Sequence, residues 1–189
     1  MADPSELQRF IAYAQAFEVA FWNDAWDGIA PFFAADARHV VHGAAPLGCD
    51  DRGRDAVVRG LRESVAMLDR RFDVRIPEVL EGPVVRGGPD PGIWMRYALT
   101  LRRKGLPEVR FEGTHMARYD AQGQIREIEE EVEAGAGERV AAYLARHDRA
   151  LRPAGSAATP PSDPRDAADA EAAMQRSLAR AAAAVNESA

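Results

Sequence analysis

The stretch "REIEEEVE" at residues 126–133 sets Glu127, Glu129, Glu131 and Glu133 at alternate positions. In an extended strand these four share one face, and water suits them. Ile128 and Val132 fall on the opposite face, which should be dry, and Glu130 lies between them. A carboxylate there is disfavoured as an ion, so its pKa should rise until it can hold or take a proton near neutrality. That makes Glu130 a candidate acid/base. The alternative is an interior glutamate paired with an arginine, although strand parity turns both Arg96 and Arg110 away from it.

Other residue types fit such chemistry. His115 shares parity with Phe111 and Tyr119, hence the apolar face, and could orient Glu130 or exchange protons with it from a neighbouring strand. A core histidine satisfied by hydrogen bonds is the other reading. Tyr97 is inward by parity with Met95, and Tyr13 flanks the first helix; either hydroxyl could donate to a ligand oxygen, or simply pack. Glu18 falls within the apolar arc of that helix, beside Ala14, Phe21 and Trp22. It suits a structural ion pair or a bond to an indole N–H. If it shared a pocket with Glu130, mutual repulsion would split their pKa values, as acid and base roles need. Phe17, Trp26 and Met95 are core residues that can also line a pocket. His42 shares a strand face with Val40. His39 and His42 stand three apart on a strand and face opposite ways, so they cannot chelate together and no metal site follows. Cys49 sits in a Gly/Asp-rich loop with no histidine at a telling spacing, so it is not cast as a nucleophile.

The elements that must position these groups come in two blocks. Leu7, Phe10, Ile11, Ala14, Phe17 and Phe21 recur at helical spacing, a short helix is expected over 26–34, and a third over 56–70. "RHVVHG" (38–43) suggests a short strand, and "GCDDRGRD" a loop. From residue 71 the period drops to two: Phe72, Val74 and Ile76, then Ile93 to Leu101, then Val109 to Tyr119, then the stretch around Glu130, separated by turns such as "RKGLPE" and "DAQG". This predicts an antiparallel meander of four strands. A helix over about 138–151 closes the domain. "RPAGSAATPPSDP" then has a linker's composition, and the Ala-rich segment after it carries a thin apolar stripe, marginal without a partner surface. Helices first and one curved sheet afterwards give α+β.

Composition narrows the function. The chain has 189 residues, 47% of them apolar, with a net charge of −6, which argues against nucleic acid as the main partner. Only Lys104 among 24 basic residues is lysine, a coding bias rather than a phosphate-binding signal. Cys49 is the single cysteine, no signal peptide is visible, and no apolar run spans a membrane, so a cytoplasmic protein with no membrane partner is expected.

Three stretches in order, "EVAFWNDAWDGIAPFFAADARHVVHG", "RGRDAVVRGL" and "GTHMARYDAQGQIREIEEEVE", resemble the SnoaL-like branch of the nuclear transport factor 2-like superfamily. The carriers are the acidic–Trp pair Asp24–Trp26, the entry Asp36–Ala37, His42–Gly43, the helix start Gly53–Ala56 and the turn Asp120–Ile125. The resemblance covers roughly residues 5–150. It implies a cone-shaped α+β roll, its curved antiparallel sheet covered by helices around an apolar pocket, often as a homodimer. It also places Glu130 where family enzymes carry their acid/base carboxylate, with Glu in place of the common Asp, and His42 where some relatives have a pocket-side histidine. It does not choose a reaction. The expectation is therefore a domain over 1–151 with a linker and marginal helix over 152–189. Its activity would be cofactor-free acid/base chemistry, as a cyclase, isomerase or dehydratase, on a small apolar metabolite. A noncatalytic ligand-binding module or an interaction domain is the alternative.

Overall fold

The first apolar stripe forms helix α1 (Pro4–Asn23) in a computed structural model that describes residues 4–88 and 91–187. Leu7, Phe10, Tyr13 and Phe21 are buried on it, as their helical spacing requires. Its C-terminal end is held by Arg70, a buried cation that donates to the carbonyls of Ala20 (3.2 Å) and Phe21 (2.5 Å). The Ala20 carbonyl also accepts the Asp24 N–H (2.9 Å), and for Phe21 Arg70 supplies the donor a helix end lacks. Asp24 then turns the chain at φ +58°, and its carboxylate accepts Trp26 Nε1 (2.8 Å), Arg62 Nη2 (2.8 Å) and Arg70 Nη1 (2.9 Å). The Asp24–Trp26 pair is a corner lock. The helix expected over 26–34 is two short 3-10 turns, Trp26–Gly28 and Ala30–Phe32, because Pro31 starts the second and Phe33 is already extended.

The strands are β1 (Phe33–His42), β2 (Cys49–Arg52), β3 (Val74–Arg86), β4 (Gly92–Arg102), β5 (Val109–Tyr119) and β6 (Ile125–Val132). Helix α2 (Arg54–Met67) follows β2, and α3 (Ala136–His147) and α4 (Pro164–Glu187) follow β6. The sheet order is β2-β1-β6-β5-β4-β3, an open, curved α+β arrangement. β3 to β6 form the expected antiparallel meander. β1, however, pairs with β6 in parallel, so the sheet is mixed rather than wholly antiparallel, and the segment expected as a loop is the edge strand β2.

One face of the sheet carries Ile93, Ala117, Ile125 and Ile128, packed with Leu7, Phe10 and Phe21 of α1 and with Val57 and Leu61 of α2. A second cluster joins Phe72, Leu101, Phe111 and Leu151 to Val140 of α3. β3 departs from the simple alternation. Its register sets Val74 opposite Arg102 and Ile76 opposite Thr100, on the outer face, while Arg75, opposite Leu101, turns inward. There Arg75 Nη1 donates to Glu18 (2.8 Å), Nε lies 3.5 Å from Asp69, and the guanidinium sits 4.9 Å from the Phe21 ring centre. Glu18 is therefore the structural ion pair, not a second pocket carboxylate. The outward Val74 and Ile76 are covered by Ala173 of α4, and such burial contributes roughly 1.5–3 kcal/mol per side chain. Ser177 Oγ of α4 accepts the Val79 N–H (3.0 Å), and Arg102 donates to Asp166 (3.0 Å) and Asp169 (2.6 Å). The tail helix thus lies along the β3 edge. Among the described residues no helix is long and apolar enough to cross a membrane.

Candidate functional site

Glu130 lies on the inner face of β6, and its neighbours follow from the pairing of three strands. His115 is directly opposite it on β5. On the other side β1 runs parallel with Val41 beside Glu130, so His39, two positions back, shares the inner face. His115 Nδ1 is 3.4 Å and His39 Nε2 3.5 Å from Glu130 Oε1. On the second carboxylate oxygen, Oε2, Tyr97 donates its hydroxyl at 2.6 Å. Tyr97 is two strands away and reaches over Gly113, where a Cβ would come 3.0 Å from the tyrosine hydroxyl. The missing side chain at 113 opens the path.

The Glu130 side chain keeps only 19% of its exposure. Burial pushes its pKa up, but the hydrogen bonds and charges of His115 and His39 outweigh burial and hold it well below the usual carboxylate range. The expectation of a raised pKa is therefore wrong in sign. Its partners are two imidazoles rather than an arginine, and Arg96 and Arg110 are bound to Glu112 on the outer face. Burial works against a charged His39, yet Cys49 and Glu130 beside it outweigh that and raise its pKa to about 10. Tyr13 and Tyr97 are both raised by burial and then by the Glu130 charge, so both hydroxyls stay protonated.

Among the described residues, two buried imidazole nitrogens here have no hydrogen bond: His39 Nε2, which still faces Glu130 at 3.5 Å, and His115 Nε2. His115 is 6% exposed, its Nδ1 faces an acceptor-only carboxylate, and its Nε2 is buried with no hydrogen bond. The Phe10 ring lies 5.4 Å from the imidazole. Tyr13 packs among Phe10, Phe17, Phe32 and Phe33, and Met95 is the strand partner of His115. The inner face thus carries Glu130 and His115 together with Tyr13, Phe17 and Met95 of the first apolar cluster and Tyr97 at the second.

Of the other expected site residues, His42 and Glu18 lie away from Glu130, and Trp26 shares the core with its indole N–H already bound. His42 is 51% exposed on the outer face and bonds Glu129 at 2.9 Å, because the parallel register from Arg38 onward turns Arg38, Val40 and His42 outward. Glu18 is held by Arg75. Trp26 gives its indole N–H to Asp24 and packs edge-on against Phe17. On that outer face Glu127 and Glu129 are held by Arg118, and Glu127 also by Arg38. His39 and Cys49 are the residues that sequence reasoning set aside, and they are neighbours: Cys49 Sγ is 3.7 Å from His39 Nδ1 across the β1–β2 pair. Ala37, fully buried and two positions before His39, was the available signal.

No family model matches the chain, and no curated protein matches it. Solved structures do. A nuclear transport factor 2-like protein from Burkholderia xenovorans LB400 superposes with a TM-score of 0.51 at 17% identity, covering 70% of this chain and 95% of that one. A protein with a ketosteroid isomerase-like fold from Catenulispora acidiphila DSM 44928, determined in complex with trimethylamine, gives 0.50 at 15% identity over 71% and 95%. A nuclear transport factor 2-like protein of unknown function from Exiguobacterium sp. 255-15 gives 0.50 at 21% identity over 68% and 98%. With the open curved sheet, the helices over its inner face and a carboxylate between them already in place, these likenesses identify the chain as having the nuclear transport factor 2-like fold.

Proposed function

We propose that this chain is a small-molecule pocket protein that moves protons on an apolar metabolite, as a cyclase, isomerase or dehydratase of the SnoaL-like kind. The observation that carries the reading is the buried, unpartnered Nε2 of His115 behind a Glu130-bound Nδ1. A carboxylate only accepts hydrogen bonds, so it fixes the proton on Nδ1 and leaves the Nε2 lone pair free to take one. Buried polar atoms without partners are uncommon, and a ligand is one thing that supplies the missing partner. Glu130 is then the positioning carboxylate, His115 the base, and the neutral Tyr13 hydroxyl a donor to a developing oxyanion. Tyr97 spends its own proton on Glu130 and steadies it. Proton transfer of this kind asks for no organic cofactor. A homodimer in the cytoplasm belongs to the same proposal.

A noncatalytic ligand-binding module is favoured by one feature: both Glu130 oxygens already face donors, and the Phe10 ring packs against His115. A generic base substrate separates the two. The wild-type chain should open the ring of 5-nitrobenzisoxazole, releasing the coloured phenolate, on the order of tenfold or more faster than His115→Ala. Equal rates for wild type and His115→Ala, both folded, would exclude His115 as the base.

A further inference from the structure

The short edge strand β2 carries two aspartates with opposite fates. Asp50 points outward and is bound by Arg38 (2.8 Å) and Arg52 (3.1 Å). Asp51 lies opposite His39 on β1, and no cation or donor among the described residues meets its carboxylate. That carboxylate rests against α2 at Gly60, where a Cβ would come within 2.1 Å of Oδ2. The glycine leaves space that Asp51 fills. Cys49 is opposite Val41, two residues along the same face, and its Sγ is 3.7 Å from His39 Nδ1. One donor atom each from His39, Cys49 and Asp51 fall within 4.8 Å of one another.

We propose that His39, Cys49 and Asp51 form a binding site for a zinc-class divalent metal ion, at the junction of the β2 edge and α2. A nitrogen, a thiolate and a carboxylate make a donor set that suits zinc and its borderline-soft neighbours rather than magnesium or calcium. Bonds of about 2.0–2.3 Å put tetrahedral donors roughly 3.5 Å apart, so the three need only small side-chain rotations to close on an ion. His39 is 5% exposed, and its far nitrogen, Nε2, faces Glu130 Oε1 at 3.5 Å. A carboxylate there keeps the proton on Nε2, so an ion arriving at Nδ1 displaces only the proton on that nitrogen, and the Nε2–carboxylate contact is the support that metal-bound histidines ordinarily have. Three protein ligands leave a fourth position for water or substrate. The site lies on the opposite side of His39 from Glu130 and does not rest on His115 as a base.

The test uses the full chain, cleared of metal with a chelator and titrated with Co2+ alone. Binding at the site gives a near-ultraviolet thiolate-to-cobalt charge-transfer band that saturates at one ion per chain and is bleached by added Zn2+. Cys49→Ser should abolish the band, and Asp51→Asn should weaken binding about tenfold or more, with helical signal retained in both. Zn2+ should raise the melting temperature of the wild type and leave that of Cys49→Ser unchanged. Absence of the charge-transfer band, or equal Co2+ affinity in wild type, Cys49→Ser and Asp51→Asn, would overturn the site. In that case Cys49 only donates weakly to His39, whatever the outcome with His115→Ala.

Discussion

Glu130 stays ionised because two imidazoles outweigh its burial, and that decides how the residue couples to stability. A carboxylate whose folded pKa lies below its unfolded value stabilises the protein above the unfolded pKa, and that contribution is lost as pH falls through the folded one. Glu130→Gln should therefore lower the melting temperature at pH 7, at a cost of roughly 1–3 kcal/mol, since it removes a charged acceptor from two histidines and a tyrosine. Unchanged stability at pH 7 would show that the histidines do not hold the carboxylate. Asp69 is the mirror case. It is buried near Arg75, and burial pushes its pKa up to about 6, with Arg75 only partly opposing. The folded state then prefers the protonated form, so Asp69 costs stability as pH rises from about 4 to above 6. Relative to wild type, Asp69→Asn should gain up to about 3 kcal/mol between pH 4 and pH 7, measured by urea unfolding at both. A difference independent of pH would refute the raised pKa. At this scale the sequence was partly legible: the parity of Glu130, His115 and Tyr97 marked them as inward. The sign of the Glu130 shift was not legible, because it depends on His39 from a strand nearly a hundred residues away in the chain.

The faces of the strands explain what could and could not be foreseen in the elements. Regular alternation predicted the meander, and its register bears that out from Ile93 to Val132. β1 went wrong because it was taken as 38–43 and oriented by Val40. Extending the strand back to the fully buried Ala37 gives His39 inward parity and sends His42 outward, whereas Phe33 lies beyond a register shift. β3 misled in the opposite way, since its apolar residues Val74 and Ile76 serve α4 on the outer face while Arg75 takes the inner one. Pattern alone cannot say which of two apolar coverings a strand faces. Gly113 offers an element-scale prediction. A methyl group there would meet the Glu131 carbonyl oxygen at 2.8 Å and the Tyr97 ring at 3.0 Å. Gly113→Ala should cost about 1–3 kcal/mol and push Tyr97 off Glu130. Tyr97→Phe removes the same hydrogen bond, so the double variant should lose less stability than the sum of the single ones. Strict additivity would mean that Gly113 does not govern the reach of Tyr97.

For the molecule as a whole the open question is what the last thirty-odd residues do. Their composition is that of a linker and a weak helix, and a 24-residue Ala-rich helix has little stability alone. In the structure that helix is bound at several points. Ala173 packs on Val74 and Ile76, Ala184 joins the main core, and Arg176 bonds Glu78 at 2.6 Å. The linker contributes too: Arg71 donates to the Arg152 carbonyl (3.0 Å), and Ala158, Thr159 and Pro161 wall a cleft of about 70 Å³ beside Asp69 and Arg75. β3 is a sheet edge, and covering it removes a template for pairing with other chains. Most of these contacts lie along the β3 edge, and without the tail the clusters around α1, α2 and α3 lose only Ala184 and Ala158, so we propose that residues 1–151 fold without the tail. Deleting everything after Leu151 should keep a single cooperative transition but lower stability by roughly 3 kcal/mol or more, as Val74 and Ile76 meet water. The exposed edge should also make the shortened chain associate at high concentration, read by light scattering. Loss of cooperative unfolding would make the tail helix part of the core. An unchanged melting temperature would mean that its contacts with β3 contribute nothing in solution.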